Sequence, residues 1–361
     1  MGDPRCIGMR AAAFCTVLAL CIFCLSLWAP HQEISPVLRY GSPASSDGYE
    51  PRIVDNIRVA GYRNIGPNTE LFTECPNRVI AVGENINETL VALGVEDRVI
   101  CPVSYGNPYY VPNAGNAEAY GKISFYRTNI LNPEMVLSME PDLIIAGQSL
   151  FNGKRLRSTD FWNDRGVHTF LPVNANSPSS RSYRETVDQE SAFILGLGRI
   201  FDREEAAEKM VKEWDNEIQF IRSAAAGMPQ KKVLIIEMMG RQIVSYDDTK
   251  LAGDMCRRLG AYVPRAPGGT VSLEYLIEEN PDVLFVVKSG GNPVDAAKRV
   301  KSNPALESLK CVRTGQVHGI MLNDTYNSAV KTGEGLRLLA EGIYPDIVKN
   351  REWRNGMNEN R

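Results

Sequence analysis

Histidine is scarce in this chain. The 361 residues hold three, His31, His168 and His318. They are too few and too scattered for a histidine-rich metal centre, and a binder of free zinc or manganese would need several such ligands. His168 and His318 fall in or beside short apolar runs and read as structural. Of eight cysteines, four (Cys6, Cys15, Cys21, Cys24) lie near the start. The others, Cys75, Cys101, Cys256 and Cys311, show no CxxC spacing, which argues against zinc or an iron–sulfur cluster. There is no excess of positive charge either. A net charge of -3 argues against a partner held by a basic surface, nucleic acid above all. No Gly-rich phosphate loop is present, since Lys288-Ser289-Gly290-Gly291 carries its lysine on the wrong side. No Ser–His–Asp arrangement appears. The chain therefore reads as a non-enzyme with no resident cofactor.

What is present is a globular composition, 43% hydrophobic and 23% charged, in a chain long enough for two domains. Arg5 and Arg10 precede an apolar run from Ala11 to Ala29, the pattern of an export signal or an uncleaved anchor over residues 1–30. Leu20 before Cys21 and Phe23 before Cys24 fit a lipidation site poorly, and Cys6 stands where a myristoylation motif wants Ser or Thr. Residues 31–52, rich in Ser, Pro and Gly, read as a flexible tether. Export permits disulfides, with Cys75–Cys101 and Cys256–Cys311 as the pairings within each half; buried thiols are the alternative.

One stretch occurs twice. Asn132-Pro133-Glu134 leads to Pro141-Asp142 and an apolar run; Ser272-Leu273-Glu274 leads, at the same offset, to Pro281-Asp282 and another apolar run. Asn132 and Ser272 are helix N-caps, and a glutamate in the first turn suits the helix dipole. Each proline ends its helix, and each apolar run reads as a buried parallel strand. Two further helices end in Leu93-Gly94 and Leu259-Gly260, where glycine fits the left-handed position after a helix.

Residues 53–181 thus form a first lobe, entered by short strands over 53–75. Residues 182–228 carry two helices. The first ends at Gly198; Asp202 caps the second, where Ala206, Met210, Trp214, Ile218 and Ile221 recur at helical spacing over about six turns. Residues 229–347 form a second lobe, and 348–361 a polar tail. Strands alternating with helices predict two Rossmann-like α/β lobes with parallel sheets, joined by a long rigid α-helix. Ligands of such lobes sit outside the carboxyl ends of the strands, here a cleft between the lobes. The loops expected there carry Asn85, Tyr105, Tyr109, Tyr110, Lys154 and Arg155 from the first lobe. Arg241, Lys288 and Tyr326 come from the second. Aromatics offer flat contact area, and cations match an anionic chelate. Packing of the tyrosines and a solvated face for the cations are the plain alternatives. Met238 and Met239 follow a strand and read as gap-filling core; of the four tryptophans, Trp162 is the one near a cleft loop.

The paired motifs, the two Leu-Gly helix ends and the long central helix resemble the substrate-binding proteins of bacterial ABC importers for iron–siderophores, heme and cobalamin. The resemblance spans roughly Cys75 to Asp346. It implies a monomer, exported to the periplasm or held on the outer face of the cytoplasmic membrane. Only the N-terminal segment would touch the membrane, and the partners would be an ABC permease dimer with its ATPase subunits. It further implies that Glu134 and Glu274 pair with permease arginines, and that the ligand is a ferric siderophore-type iron chelate. Heme or cobalamin is the alternative within the family, and a nitrogenase- or chelatase-like enzyme the alternative outside it.

Overall fold

The computed structural model describes residues 48–174, 183–266 and 269–350. The expected signal segment, most of the tether and the polar tail lie outside them. Among the described residues no helix is long and apolar enough to cross a membrane.

The entry to the first lobe is one long hairpin rather than several short strands. β1 (Arg52–Ala60) pairs antiparallel with β2 (Arg63–Phe72), with a register shift between Arg58 and Val59. Val54, Asn56, Ile57 and Val59 face inward along β1, whereas only Glu70 and Phe72 of β2 are buried. The outer strand therefore tolerates Gly66 and Pro67, as an edge strand can. Asn56 donates to Thr169 O (2.6 Å) and accepts from Leu171 N (3.2 Å), and Arg58 pairs with Asp160 (2.6 Å).

The first lobe then runs through β3 (Val79–Val82), α1 (Glu84–Ala92), β4 (Val99–Ser104), α2 (Ala117–Gly121), β5 (Tyr126–Arg127) and α3 (Pro133–Ser138). It closes with β6 (Leu143–Ile145), α4 (Thr159–Asn163) and β7 (His168–Phe170). Its sheet has the order β5-β4-β3-β6-β7, all parallel. Helices α5 (Val187–Phe201) and α6 (Glu204–Ala224) follow. The second lobe holds β8 (Val233–Met239), β9 (Gln242–Ser245), α7 (Leu251–Arg258), β10 (Thr270–Val271), α8 (Leu273–Glu279) and β11 (Val283–Lys288). α9 (Pro293–Lys301), α10 (Lys310–Arg313), β12 (Val317–Met321) and α11 (Thr332–Ile343) complete it. Its sheet is mixed, not parallel throughout. The order is β10-β9-β8-β11-β12, and β9 folds back on β8 through Gly240 and Arg241. Such an antiparallel edge on a parallel sheet is common.

The repeated stretch folds alike in both lobes. Asn132 Oδ1 accepts from Met135 N (2.9 Å) at the start of α3, and Ser272 Oγ from Tyr275 N (3.3 Å) at the start of α8. Each helix stops before its proline, at the left-handed residues Glu140 and Asn280. The aspartate after each proline pins the first strand of its own sheet. Asp142 accepts from Asn77 N (2.7 Å) and Arg78 N (3.0 Å), and Asp282 from Lys232 N (2.8 Å). The repeat thus records a sheet-closing contact as well as a helix start.

Two sequence expectations for the central helices change. Gly198 lies inside α5, which continues to Phe201 and ends on left-handed Asp202. A Cβ on Gly198 would stand 2.6 Å from the Ala207 Cβ, so this glycine lets α6 cross closely. Asp202 pairs with Arg52 (3.0 Å) instead of capping α6.

Strand alternation sorts the core into layers. Val79 and Ala81 of β3, Val233 and Ile235 of β8, Leu197 of α5, Trp214 and Ile221 of α6 and Leu336 of α11 share one cluster. Ile80 and Val82 face a second cluster, and Leu234 and Ile236 a third. The lobes are thus joined by a continuous apolar layer that includes the central helices. The same clusters divide the cysteines. Cys101, Cys256 and Cys311 are free thiols, so neither expected bridge forms. Cys75 packs on the shared layer while Cys101 lies across its sheet; Cys256 and Cys311 are divided in the same way.

Candidate ligand cleft

β3 has β4 on one side and β6 on the other. The chain therefore diverges at its carboxyl end, and a crevice opens there. The crevice is a cavity of about 340 Å³, lined from the first lobe by Gly83–Ile86, Tyr105, Asn107 and Gly147–Ser149. Ser289, Leu322, Asn323, Tyr326 and Asn327 line it from the second.

Glu84, buried at the start of α1, shapes the first wall. Its Oε1 accepts from Ser104 Oγ (2.7 Å), Gly106 N (3.0 Å) and Asn107 N (3.2 Å). One carboxylate therefore fixes the loop that carries Tyr105. Gly83 seats the ring: its φ is +114°, and a Cβ there would stand 3.2 Å from Tyr105 Cε2. Glycine alone meets both conditions easily.

Asn85 joins the walls. Its Nδ2 donates to the carbonyls of Asn323 and Asn327, both at 3.0 Å, and its Oδ1 accepts from Asn323 Nδ2 at 2.9 Å. Asn107 Nδ2 adds a bond to Asn323 Oδ1 at 3.1 Å. In the second wall, Tyr326 meets Tyr246 edge-on, with ring centroids 6.5 Å apart, and Tyr246 donates to Glu237 (2.8 Å). Tyr105 is 55% exposed as a residue, and partial burial with the nearby Glu84 carboxylate raises its hydroxyl pKa. Burial raises Tyr326 and Tyr246 as well, the latter also through Glu237. At neutral pH the cleft therefore presents phenol donors, not phenolates.

Of the residues singled out from sequence, Asn85, Tyr105 and Tyr326 line this cavity, and Lys288 adjoins Ser289. Tyr109 and Tyr110 instead line a second cavity of about 990 Å³, with Trp214, Asp324, Lys331 and Arg337; Asn323 borders both. Tyr110 donates to fully buried Glu88, which also accepts from Asn113 N (2.8 Å) and Asn116 Nδ2 (2.9 Å). Arg155 donates to Thr128 O and so braces its loop, while Lys154 is exposed beside it. Arg241 and Met239 are exposed at the β8–β9 turn, with Met238 at its edge. None of these lines the cleft cavity. Trp162 is fully buried beneath the Gly147–Arg157 loop, with its indole donating to Leu156 O. His168 meets Glu70 (2.8 Å) and the Phe72 ring, and His318 packs on Phe285. Among the described residues no three His, Cys, Asp or Glu gather as a metal-holding group.

Glu84, Asn107, Gln148, Ser289, Asn323 and Asn327 were not singled out from sequence. The available signal was position: each follows the carboxyl end of a strand.

Glu134 and Glu274 are exposed on α3 and α8, at matching places in the two lobes. Among the described residues neither joins an ion pair. The Ser272 hydroxyl and the backbone hold the Glu274 carboxyl below the usual range.

Comparison with known proteins agrees with this architecture. Residues 79–321 match the model of the periplasmic binding protein family. The chain belongs to that family, whose members are substrate-binding components of transport systems rather than enzymes. An uncharacterized ABC transporter substrate-binding lipoprotein of Bacillus subtilis is 24% identical over 76% of this chain and 82% of its own length. The iron-uptake system-binding protein of the same organism is 27% identical over 52% of this chain and 57% of its own length. Among solved structures, a periplasmic binding protein from Veillonella parvula superposes with a TM-score of 0.75 at 28% identity. That match covers 83% of this chain and 93% of the other.

Proposed function

We propose that this protein is the exported binding component of an ABC importer, that it captures a ferric siderophore-type chelate in the interlobe cleft, and that Glu134 and Glu274 dock it on the permease. The cleft carries this reading: strand-end loops from two lobes meet around Tyr105 and Tyr326 over the floor made by Asn85. Phenol and amide donors suit the oxygen-rich surface of an iron chelate. The named iron-uptake relative supports the same ligand class. The proposed contacts are Asn85, Tyr105 and Tyr326, with Lys288 beside them. Lys154, Arg155 and Arg241 contribute positive potential from further out. The apolar layer shared by the lobes favours binding with little hinge motion.

Neither described tryptophan lines the cleft: Trp162 is buried and Trp214 faces the second cavity. Equilibrium dialysis is therefore a better test than tryptophan quenching. A panel of ferric siderophores, ferric citrate, heme and cobalamin should contain a ferric chelate bound below about 1 μM, near -8 kcal/mol. A panel in which only heme or cobalamin binds, or nothing binds that tightly, overturns the proposal.

A further inference from the structure

The cleft cavity, about 340 Å³, is at the small end of ligand pockets, which run from about 300 to 1,000 Å³. A hexadentate iron chelate would fill it and project beyond. The β1–β2 hairpin supplies a surface for the projecting part. It precedes the region matched by the family model, which begins at residue 79. β1 and β2 form a two-stranded sheet of their own, and the ten-residue β2 makes the hairpin about 33 Å long. Asn56 lies level with Thr169 and Leu171, at the carboxyl end of β7. From there β1 climbs past Thr159, whose hydroxyl accepts from Val59 N at 3.0 Å.

The tip is fastened to the cleft wall. Gln148, which lines the cavity, donates to Tyr62 O, and Tyr62 N donates to Phe151 O at 3.3 Å. Tyr62 is left-handed, with φ +69°, and 54% exposed. Positive φ at both Gly61 (+55°) and Tyr62 is what this two-residue hairpin turn requires, and the non-glycine residue at its second position bears the steric cost. Arg63 beside it is exposed and pairs with no acid among the described residues.

We propose that Tyr62 and Arg63 form an outer lip of the cleft that selects for bulky anionic ferric chelates. This rests on the siderophore reading above. Arg63 attracts the net negative charge of the complex, and the tyrosine ring covers the part standing outside the cavity.

The test uses the full chain and two ferric complexes, a trianionic tris-catecholate and a neutral tris-hydroxamate. Dissociation constants are measured at low and high salt for wild type, Arg63→Ala and Tyr62→Gly. Glycine suits the left-handed turn, so Tyr62→Gly should not lower the melting temperature. Arg63→Ala should weaken the trianion about tenfold at low salt, equal to about 1.4 kcal/mol. It should weaken the neutral complex less than twofold and flatten the salt dependence. Tyr62→Gly should weaken whichever complexes wild type binds. If wild type binds either complex and both variants match it within twofold, the lip is overturned while the cleft reading stands. If wild type binds neither but binds another ferric chelate of the panel, selection for bulky anionic chelates is overturned while the cleft reading stands; if it binds no ferric chelate, both fall.

Discussion

Asn85 in the first lobe and Asn323 in the second hold each other by reciprocal hydrogen bonds. Asn85 Nδ2 donates to the Asn323 carbonyl at 3.0 Å, and Asn323 Nδ2 donates back to Asn85 Oδ1 at 2.9 Å. The cleft floor is therefore also a joint between lobes. Asn85→Ala removes the donor for two carbonyls and the acceptor for one amide. Partly buried groups left without partners cost about 1–3 kcal/mol. Thermal unfolding should show a melting temperature lowered by several degrees, with weaker ligand binding. An unchanged melting temperature would mean that water replaces the side chain at no cost.

Gly83 links backbone conformation to the Tyr105 ring. Gly83→Ala must hold φ near +114° and place a methyl 3.2 Å from that ring. Strain of about 1–3 kcal/mol is expected, and the ring must move. Ligand affinity should fall by more than the change caused by Tyr105→Phe, which keeps the ring in place. Equal losses in the two variants, read by dialysis, would show that the hydroxyl matters and the ring position does not.

Much of this architecture was legible because it is local. The N-caps Asn132 and Ser272, the prolines after them and the apolar strands are written within about twenty residues each. The two-lobe plan follows from them. What sequence concealed was long-range pairing. The return of β9 onto β8 turns on Gly240-Arg241, a glycine-first two-residue turn whose signal is a single glycine in a chain of thirty. Cys75 and Cys101, one possible pairing by sequence, belong to different apolar clusters: Cys75 in the loop before β3 packs on the shared layer, and Cys101 of β4 faces the other. In the candidate site, topology pointed to the loops that line the cavity but not to which of their residues face it. Tyr105 lines the cavity, and Tyr110, five positions on, does not. Glu84 holds the backbone at Gly106 and Asn107, while Glu88, one helical turn later, draws the Tyr110 hydroxyl away.

Glu190 makes stability depend on pH. It is buried in α5, accepting from Asn174 Nδ2 (2.7 Å) and from the backbone N–H of Ala329 (2.5 Å). Loss of water raises its pKa from 4.5 to about 7, against the smaller opposing pull of those hydrogen bonds. The folded chain thus retains a proton that the unfolded chain releases. The contribution is fullest below about pH 4.5, declines as pH rises, and is lost above about pH 7. Its span is about 3 kcal/mol. Asp324, pushed up to about 6 mainly by burial, adds a slope of the same sign. Urea unfolding between pH 5 and 8 should show stability falling with pH in wild type and falling less steeply in Glu190→Gln. Identical slopes would exclude Glu190 as the source.

If the exposed pair Glu134 and Glu274 docks the protein on its permease, as proposed above, docking can be separated from ligand capture. Each sits in the first turn of a short helix whose cap, Asn132 or Ser272, already satisfies the helix start. Removing either carboxylate should therefore cost the fold little, since solvent screens an exposed acid near a helix start. Neither residue lines the cleft, so the double variant Glu134→Ala, Glu274→Ala should bind ligand as wild type does. Two carboxylates on lobes that share one core are held at a fixed separation. They can register the protein on a two-fold symmetric permease, where charge pairs set orientation and on-rate. Each single variant should retain part of the transport, and the double variant should lose most of it. Uptake of the bound chelate into cells or permease-loaded vesicles measures this. Full transport by the double variant would leave the two glutamates as helix-start acids alone, and lost ligand binding would place them in the wrong site.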